Sequence, residues 1–321
     1  MIISVIFIGI KSASKSLSNS LQWGGEVLNR NIALDLLKLL MALMVVGIHA
    51  EIFKDISLAL SYFTAYGVFR IAVPVFLLIN GFYFFQTLNE NKTTVWFKRL
   101  IILYLFWMLV YSPIWFHPPD LSLQTIAKLI AQVLLGYFHL WYIAGAIGAA
   151  LLLFIFRNCN TATLVALITI TYLMGVAIQY AGNYHLFDNS QLDSLANIPF
   201  VHRNALFFSF PLFCLGFLIR KYNIHKRVSL NAALAWCFVG VLLLLLEIYL
   251  NYTAANRDGG FDNYLSLIVV CPAIFIVFMQ INLLSNTKSI ALYATAIFFV
   301  HPLFLLPLVE PLAGQETLLT I

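Results

Sequence analysis

Residues 35–50 read DLLKLLMALMVVGIHA. The run is apolar enough to cross a bilayer, yet it carries Asp35, Lys38 and His49. A charged side chain at the centre of a membrane helix costs roughly 2.5–3.5 kcal/mol on insertion scales, so such groups face a bundle interior and mark substrate or proton paths. Lys38 and His49 are 11 residues apart, which at 100° per residue offsets them by only about 20°, on one helix face. Along the axis they lie about 16 Å apart, roughly half the hydrocarbon thickness. Asp35 precedes Lys38 by three residues and is its expected counter-charge on that face.

Similar apolar runs recur through the 321 residues, of which 62% are hydrophobic and 10% charged. A soluble domain carries roughly 25% charged residues. The runs are continuous and not alternating, which excludes a β-barrel and leaves helices as the structure that satisfies its backbone in lipid. The sequence predicts an all-α polytopic membrane protein, a bundle of about nine to ten transmembrane helices. Nine spans fall at about 31–50, 65–85, 100–116, 140–156, 161–181, 203–219, 229–250, 262–280 and 289–309. Residues 125–136, TIAKLIAQVLLG, are amphipathic and too short to span, and read as a helix lying on the membrane surface.

With the N-terminus in the cytoplasm, twelve Lys and Arg residues fall on the inner side and three (Lys54, Lys128, Arg257) on the outer. That bias predicts an N-inside topology in the inner (plasma) membrane. The net charge of +5 therefore belongs to one membrane face and implies the lipid bilayer, with no nucleic-acid partner. Four cysteines lack metal-ligand spacing and read as small buried hydrophobes, so no metal is expected. The chain divides into an N-terminal cytoplasmic or interfacial extension (1–29), a transmembrane domain (30–310) and a short C-terminal tail (311–321). The opening MIISVIFIGI precedes Lys11 and Lys15, the reverse of the order in a signal peptide.

Other ionisable groups gather at the level of His49. His139 opens the fourth span in FHLWYI, and His202 and Arg203 open the sixth in VHRNALFFSFP. Arg70 lies near the outer end of the second span in YGVFRIAVPVF, and His301 in the outer half of the ninth in FFVHPLF. Any one of them reads equally as an interfacial anchor or a satisfied interior group. Together they place four histidines and two arginines at one depth with little carboxylate, and Glu247 in the seventh span is the expected partner for an arginine.

At these residues the chain resembles acyltransferase family 3, a family of integral membrane proteins. The resemblance is carried by Lys38-x10-His49, RIAVPVFLLINGFYFF (70–85), WFKRLIILYLFW (96–107), HLWYIAGAIG (139–148), RNALFFSFPLFCLGFLI (203–219) and ALYATAIFFVHPLF (291–304), in family order over about 30–310. The short form, without an appended extracytoplasmic hydrolase-like domain, is similar to enzymes that O-acetylate surface glycans. Two departures stand out. The family usually has ten spans, whereas here a short polar tail follows the ninth, and the basic cluster before the third span is only Lys98-Arg99.

The resemblance implies an O-acyltransferase, most often an O-acetyltransferase, with acetyl-CoA or another acyl-CoA as donor substrate and no permanently bound cofactor. The acceptor would be a hydroxyl of a cell-surface polysaccharide or a lipid-linked sugar. An imidazole near neutrality suits the base, so His49 is expected as base or transient acyl carrier. Arg70 or Arg203 is expected to stabilise the oxyanion, with His139 and His301 alongside. Lys38, Lys98 and Arg99 are expected on the acyl-CoA phosphates. Helix interruptions at Pro74, Gly81, Pro211 and Gly216 also fit a glycan exporter or flippase, and an inactive truncated relative is a further alternative. No P-loop, metal-spaced cluster or Gly-x-Ser-x-Gly elbow is present, which disfavours an ATPase, a zinc enzyme or a serine hydrolase.

Overall fold

The computed structural model describes residues 30–116, 122–188, 190–255, 257, 259–285, 287, 289–309, 311 and 313–320. The extension expected over 1–29 lies outside them. The long apolar runs fold into helices α1 (Ala33–His49), α2 (Ala72–Asn89), α3 (Thr93–Trp115), α4 (Leu123–Leu135), α5 (Trp141–Phe156), α6 (Thr161–Asn183), α7 (Phe210–Lys221), α8 (Leu230–Thr253), α9 (Leu267–Gln280) and α10 (Ser289–Val309). Side-chain caps mark several starts. Ser122, Asn160 and Ser229 accept the first free N–H groups of α4, α6 and α8 from Thr125, Thr163 and Ala232, donors that would otherwise go unpaired. A two-residue antiparallel pairing of β1 (Arg30–Asn31) with β2 (Leu284–Ser285) ties the start of α1 to the segment leading into α10.

Six helical stretches among the described residues are long and apolar enough to cross a membrane: Leu58–Asn89, Thr93–Trp115, Phe138–Phe156, Thr161–Asn183, Leu230–Thr253 and Ser289–Leu308. The other three expected spans are helical but shorter. α1 has 17 residues, α9 has 14 and α7 has 12, and at 1.5 Å per residue the last two rise only about 21 and 18 Å. Burial accounts for the brevity of α7 and α9. Phe210, Pro211, Leu212, Phe213, Cys214, Gly216, Phe217, Leu218 and Ile219 of α7 are all buried, because α7 packs between α2, α5 and α6. A helix that meets protein on every side is not held to the hydrocarbon thickness. The peripheral helices show the opposite pattern, with α8 exposing Leu234, Phe238, Val239 and Leu242, as lipid-facing residues do.

The α2–α7 crossing is the tightest in the bundle. A Cβ at Gly81 would lie 1.8 Å from the Phe213 carbonyl oxygen, and one at Gly216 would lie 2.1 Å from that of Leu78. Only glycine lets the two backbones meet there, the small-residue packing of helices in lipid. α4 is amphipathic as expected and buries none of its residues. It is held at the edge by the Tyr104 hydroxyl, which donates to the Val133 carbonyl at 2.7 Å.

Candidate active site

α1 ends at His49, and α10, packed along α1, brings His301 to it. The two rings stack at 5.4 Å between centroids with 22° between planes. His139 enters from the 3₁₀ turn Phe138–Leu140 that precedes α5, its ring 5.2 Å from His301. Three imidazoles from distant parts of the chain thus share one end of the bundle. His301 Nδ1 lies 3.0 and 2.9 Å from the Ile297 and Phe298 carbonyl oxygens. Carbonyls only accept, so Nδ1 carries the hydrogen and Nε2 keeps its lone pair. Nε2 is buried without a hydrogen-bond partner in the protein, and so are both nitrogens of His139. Buried polar atoms are normally satisfied, so one donor and one acceptor on His139 and the acceptor on His301 stand open to a bound molecule.

The wall of this site is stiff. Trp107 stacks on Phe299 at 5.0 Å and the Tyr111 hydroxyl donates to the Phe299 carbonyl at 2.6 Å, which locks α3 to α10. Phe138 lies 4.3 Å from the His49 ring and holds φ at +49°. An aromatic residue in the left-handed region costs on the order of 1–3 kcal/mol, and such strain clusters at functional sites.

Beside the histidines Arg70 and Arg203 meet on one carboxylate, that of Asp262. Arg70 Nη1 hydrogen-bonds Oδ1, and Arg203 Nη1 lies 2.7 Å from Oδ2. This is a correction to the sequence reading, which gave an arginine to Glu247. Glu247 is consumed elsewhere. Its Oε1 accepts from the Tyr180 hydroxyl at 2.5 Å and from Leu265 N at 2.6 Å, and its Oε2 accepts from Ser266 N at 2.8 Å. It therefore satisfies free N–H groups at the start of α9 and favours the positive end of that helix. Asp262 lies in the loop that this anchor and Gln179 hold, with Gln179 Oε1 accepting from the N–H of Asp262 and of Asn263, both at 3.0 Å. Burial pushes the Asp262 carboxyl up, but the Arg203 and Arg70 guanidiniums outweigh it and hold the group below the ordinary carboxylate range. Two cations and one anion leave the triad net positive, within electrostatic range of His49.

The guanidinium planes are set by aromatic rings, Arg203 at 4.6 Å over Trp141 and Arg70 at 5.5 Å over Tyr66. The backbone after Arg203 makes a π turn, Ala205–Ser209, before α7, and the Asn204 side chain accepts from the N–H of Leu206 and Phe207. π turns recur at functional positions. A cavity of about 270 Å³ opens here, with Phe138, Trp141, Gly145, Phe200, Arg203 and Asn204 in its lining.

At the far end of α1, Lys38 lies 3.5 Å from Asp35, the expected pair, and its ammonium lies 6.0 Å from the Tyr83 ring. Between the two ends α2 presents Phe76, Asn80 and Tyr83 at i, i+4 and i+7, one helix face. Phe76 meets Tyr142 and Phe298, and Asn80 Nδ2 donates to the Tyr142 hydroxyl at 2.6 Å. His202 is buried outside the histidine group, its Nδ1 3.2 Å from the Ala196 carbonyl. Lys98 and Arg99 are exposed in the first turns of α3.

A family model described as an acyltransferase domain, that of acyltransferase family 3, matches residues 31–318. The chain belongs to acyltransferase family 3. Its match to an amino-acid racemase of Enterococcus faecalis is 26% identical over 295 residues, covering 86% of this chain and 41% of that protein. Its match to a serine/alanine racemase of Enterococcus gallinarum is 26% identical over 306 residues, covering 85% and 40%. The chain thus spans about two fifths of the length of these curated relatives. No solved structure matches. The Lys38–His49 helix is legible from the sequence, whereas Asp262 carries no sequence signal and reaches the arginines only through folding.

Proposed function

We propose that this family member is a multi-pass O-acyltransferase of the inner (plasma) membrane, with its N-terminus cytoplasmic and all nine apolar helices crossing or embedded in the bilayer. It would move an acyl group, acetyl in the simplest case, from cytoplasmic acyl-CoA to a hydroxyl of a surface polysaccharide or lipid-linked sugar. The observation that carries the reading is the meeting of His49, His139 and His301 beside the Arg70–Asp262–Arg203 triad, on the helix whose far end holds Lys38. The racemase names of the relatives belong to much longer proteins and are not carried over.

An acceptor hydroxyl enters by the cavity beside Arg203, and His49 takes its proton as the oxygen attacks the thioester carbonyl. The tetrahedral oxyanion forms next to Arg70 and Arg203, whose net positive triad stabilises the charge in a site with little water. The intermediate collapses, the C–S bond breaks, and the imidazolium returns its proton to the leaving thiolate. The products are the ester and free coenzyme A thiol. The acyl group reaches this end along the face of α2 that carries Phe76, Asn80 and Tyr83. Mass spectrometry of surface glycans from cells with and without the protein tests the reading, and should show a difference of one acyl group. Glycans of unchanged mass, with export altered instead, would sink the enzyme reading in favour of a transporter.

A further inference from the structure

The end of the bundle opposite the histidines holds a second group of cations around two aromatic rings. Phe82, buried on α2, has the Arg220 guanidinium 5.0 Å over its ring and the His225 ring 4.9 Å away edge-on. Its neighbour Tyr83 lies 5.4 Å from it, is 46% exposed, and has the Lys38 ammonium 6.0 Å from its ring. The chain reverses after α7 through Asn223, in the left-handed region at φ +52°, which folds the short turn Ile224–Arg227 back against α2. That reversal places His225 inside, while Lys226 and Arg227 stay exposed.

Two features separate this group from the ordinary run of basic residues at a membrane face. Arg220 is half-buried over an aromatic ring instead of extended into water. His225 is 5% exposed, and its Nδ1 is buried without a hydrogen-bond partner in the protein. Burial, and after it the Arg220 charge, pushes the His225 imidazole below its ordinary value. An imidazole nitrogen open beside a guanidinium gives an arriving phosphate a second hydrogen-bonding group. Tyr83 adds an exposed ring on which a base can stack.

We infer that Arg220, His225 and Lys38, arranged around Phe82 and Tyr83, bind the phosphate-bearing nucleotide end of the acyl-CoA donor. The inference rests on the acyl-transfer reading for the identity of the donor and adds Arg220 and His225 to the residues expected on its phosphates. A forked guanidinium and a buried imidazole grip phosphate oxygens through charge-assisted hydrogen bonds, whereas a lone exposed lysine offers only a point charge.

The test uses the purified full chain in nanodiscs of phosphatidylcholine, with coenzyme A as the probe and adenosine 3′,5′-bisphosphate as competitor. Arg220→Gln should weaken coenzyme A binding about tenfold to a hundredfold, the loss of one charge-assisted hydrogen bond. Arg220→Lys should recover part of it, and His225→Asn should weaken binding independently. In turnover, KM for acyl-CoA should rise with kcat retained. Adenosine 3′,5′-bisphosphate should compete in the wild type and lose its effect in Arg220→Gln. Unchanged coenzyme A affinity in both Arg220→Gln and His225→Asn overturns the site. So does a result in which nanodiscs containing phosphatidylglycerol show Arg220-dependent lipid retention while coenzyme A affinity does not move, since the phosphate would then be a lipid headgroup. Binding needs no turnover. Arg220-sensitive coenzyme A binding without any acyl transfer keeps the site and sinks the enzyme reading, and normal transfer with an unshifted KM does the reverse.

Discussion

At one end of α1, His49 is fixed between the rings of Phe138 and His301. At the other, Lys38 faces Asp35 across 3.5 Å with a quarter of its side chain exposed. The histidine end is assembled from six separate parts of the chain, with Phe138 strained to reach its place and Asp262 gripped by two guanidiniums. The lysine end is built from contacts along α2 and its close neighbour α7, and its cations rest on aromatic rings. Preorganised charge and fixed acceptors suit a reaction, since nothing has to reorganise when charge develops. Half-exposed cations suit a ligand that arrives and leaves. On the proposed reading one helix joins a place for chemistry to a place for holding, and the clearest way to break that division is to disable each end in turn.

The largest effect is expected at His49. His49→Ala should lower kcat by about 10²–10⁴-fold, the usual contribution of a positioned acid or base, with the protein present in membranes at wild-type level. Lys38→Ala should instead raise KM for the donor with most of kcat kept. If both substitutions lowered kcat equally, the two ends would not have separate roles.

Asp262→Asn comes next. Removing the anion leaves two guanidiniums facing each other, and breaking a buried pair costs about 3–5 kcal/mol, here toward the lower figure because the groups keep 15–25% of their side-chain exposure. Thermal unfolding in detergent measures the loss. The pH dependence has a definite sign. The folded protein holds the Asp262 carboxyl below its ordinary range, so its contribution is complete above the unfolded value and is lost as pH falls through the lowered native one. Asp262→Asn should flatten stability at that acid limb and leave the neutral range parallel to wild type. A variant whose stability still fell with acid as steeply as the wild type would show that the triad does not carry the limb.

Between the ends, Gly81→Ala probes what keeps them in register. The added methyl would lie 1.8 Å from the Phe213 carbonyl oxygen, so α2 and α7 must separate, at a cost of about 1–3 kcal/mol for overpacking. Both ends use residues of α2 or of the segments against it, so this one methyl should reduce donor affinity and kcat together. A change confined to one of them would place the crossing outside the connection.

The helices were legible because apolar runs are continuous, six of the nine expected spans being long and apolar enough to cross a membrane among the described residues, and the α1 face was legible because helical periodicity fixes which residues share it. Asp35 against Lys38 and the pairing of His49 with a second imidazole follow from those two facts with the packing of α10. The site's carboxylate was not legible. Glu247 and Asp262 are both acids near the same depth, and spacing along the chain does not say which one a guanidinium reaches. Folding decides it by a competition, in which the free N–H groups at the start of α9 take Glu247 and leave Asp262 to the arginines. Lys98 and Arg99 stood out for preceding a span, whereas the approach of Arg220 and His225 to Phe82 is set by the α2–α7 crossing and has no signature in the sequence.

The smallest and most specific effect concerns Gln179, which touches neither histidine nor arginine among the described contacts. Its Oε1 holds the N–H groups of Asp262 and Asn263 at 3.0 Å, and the residue is 1% exposed. Gln179→Met keeps the length and apolar volume but removes the acceptor, at roughly 1 kcal/mol for a net hydrogen bond and more for the donor left bare. Stability should fall modestly. Because the loop then presents Asp262 less firmly, kcat should fall by a larger factor than Gly81→Ala produces for equal destabilisation. Gln179→Glu restores the acceptor but adds a negative charge behind Asp262, which should make the carboxyl hold its proton more tightly and shift the acid limb toward higher pH. Met and Glu variants that lose kcat only in proportion to their loss of stability would make Gln179 a packing residue and detach the loop from the chemistry at the histidine end.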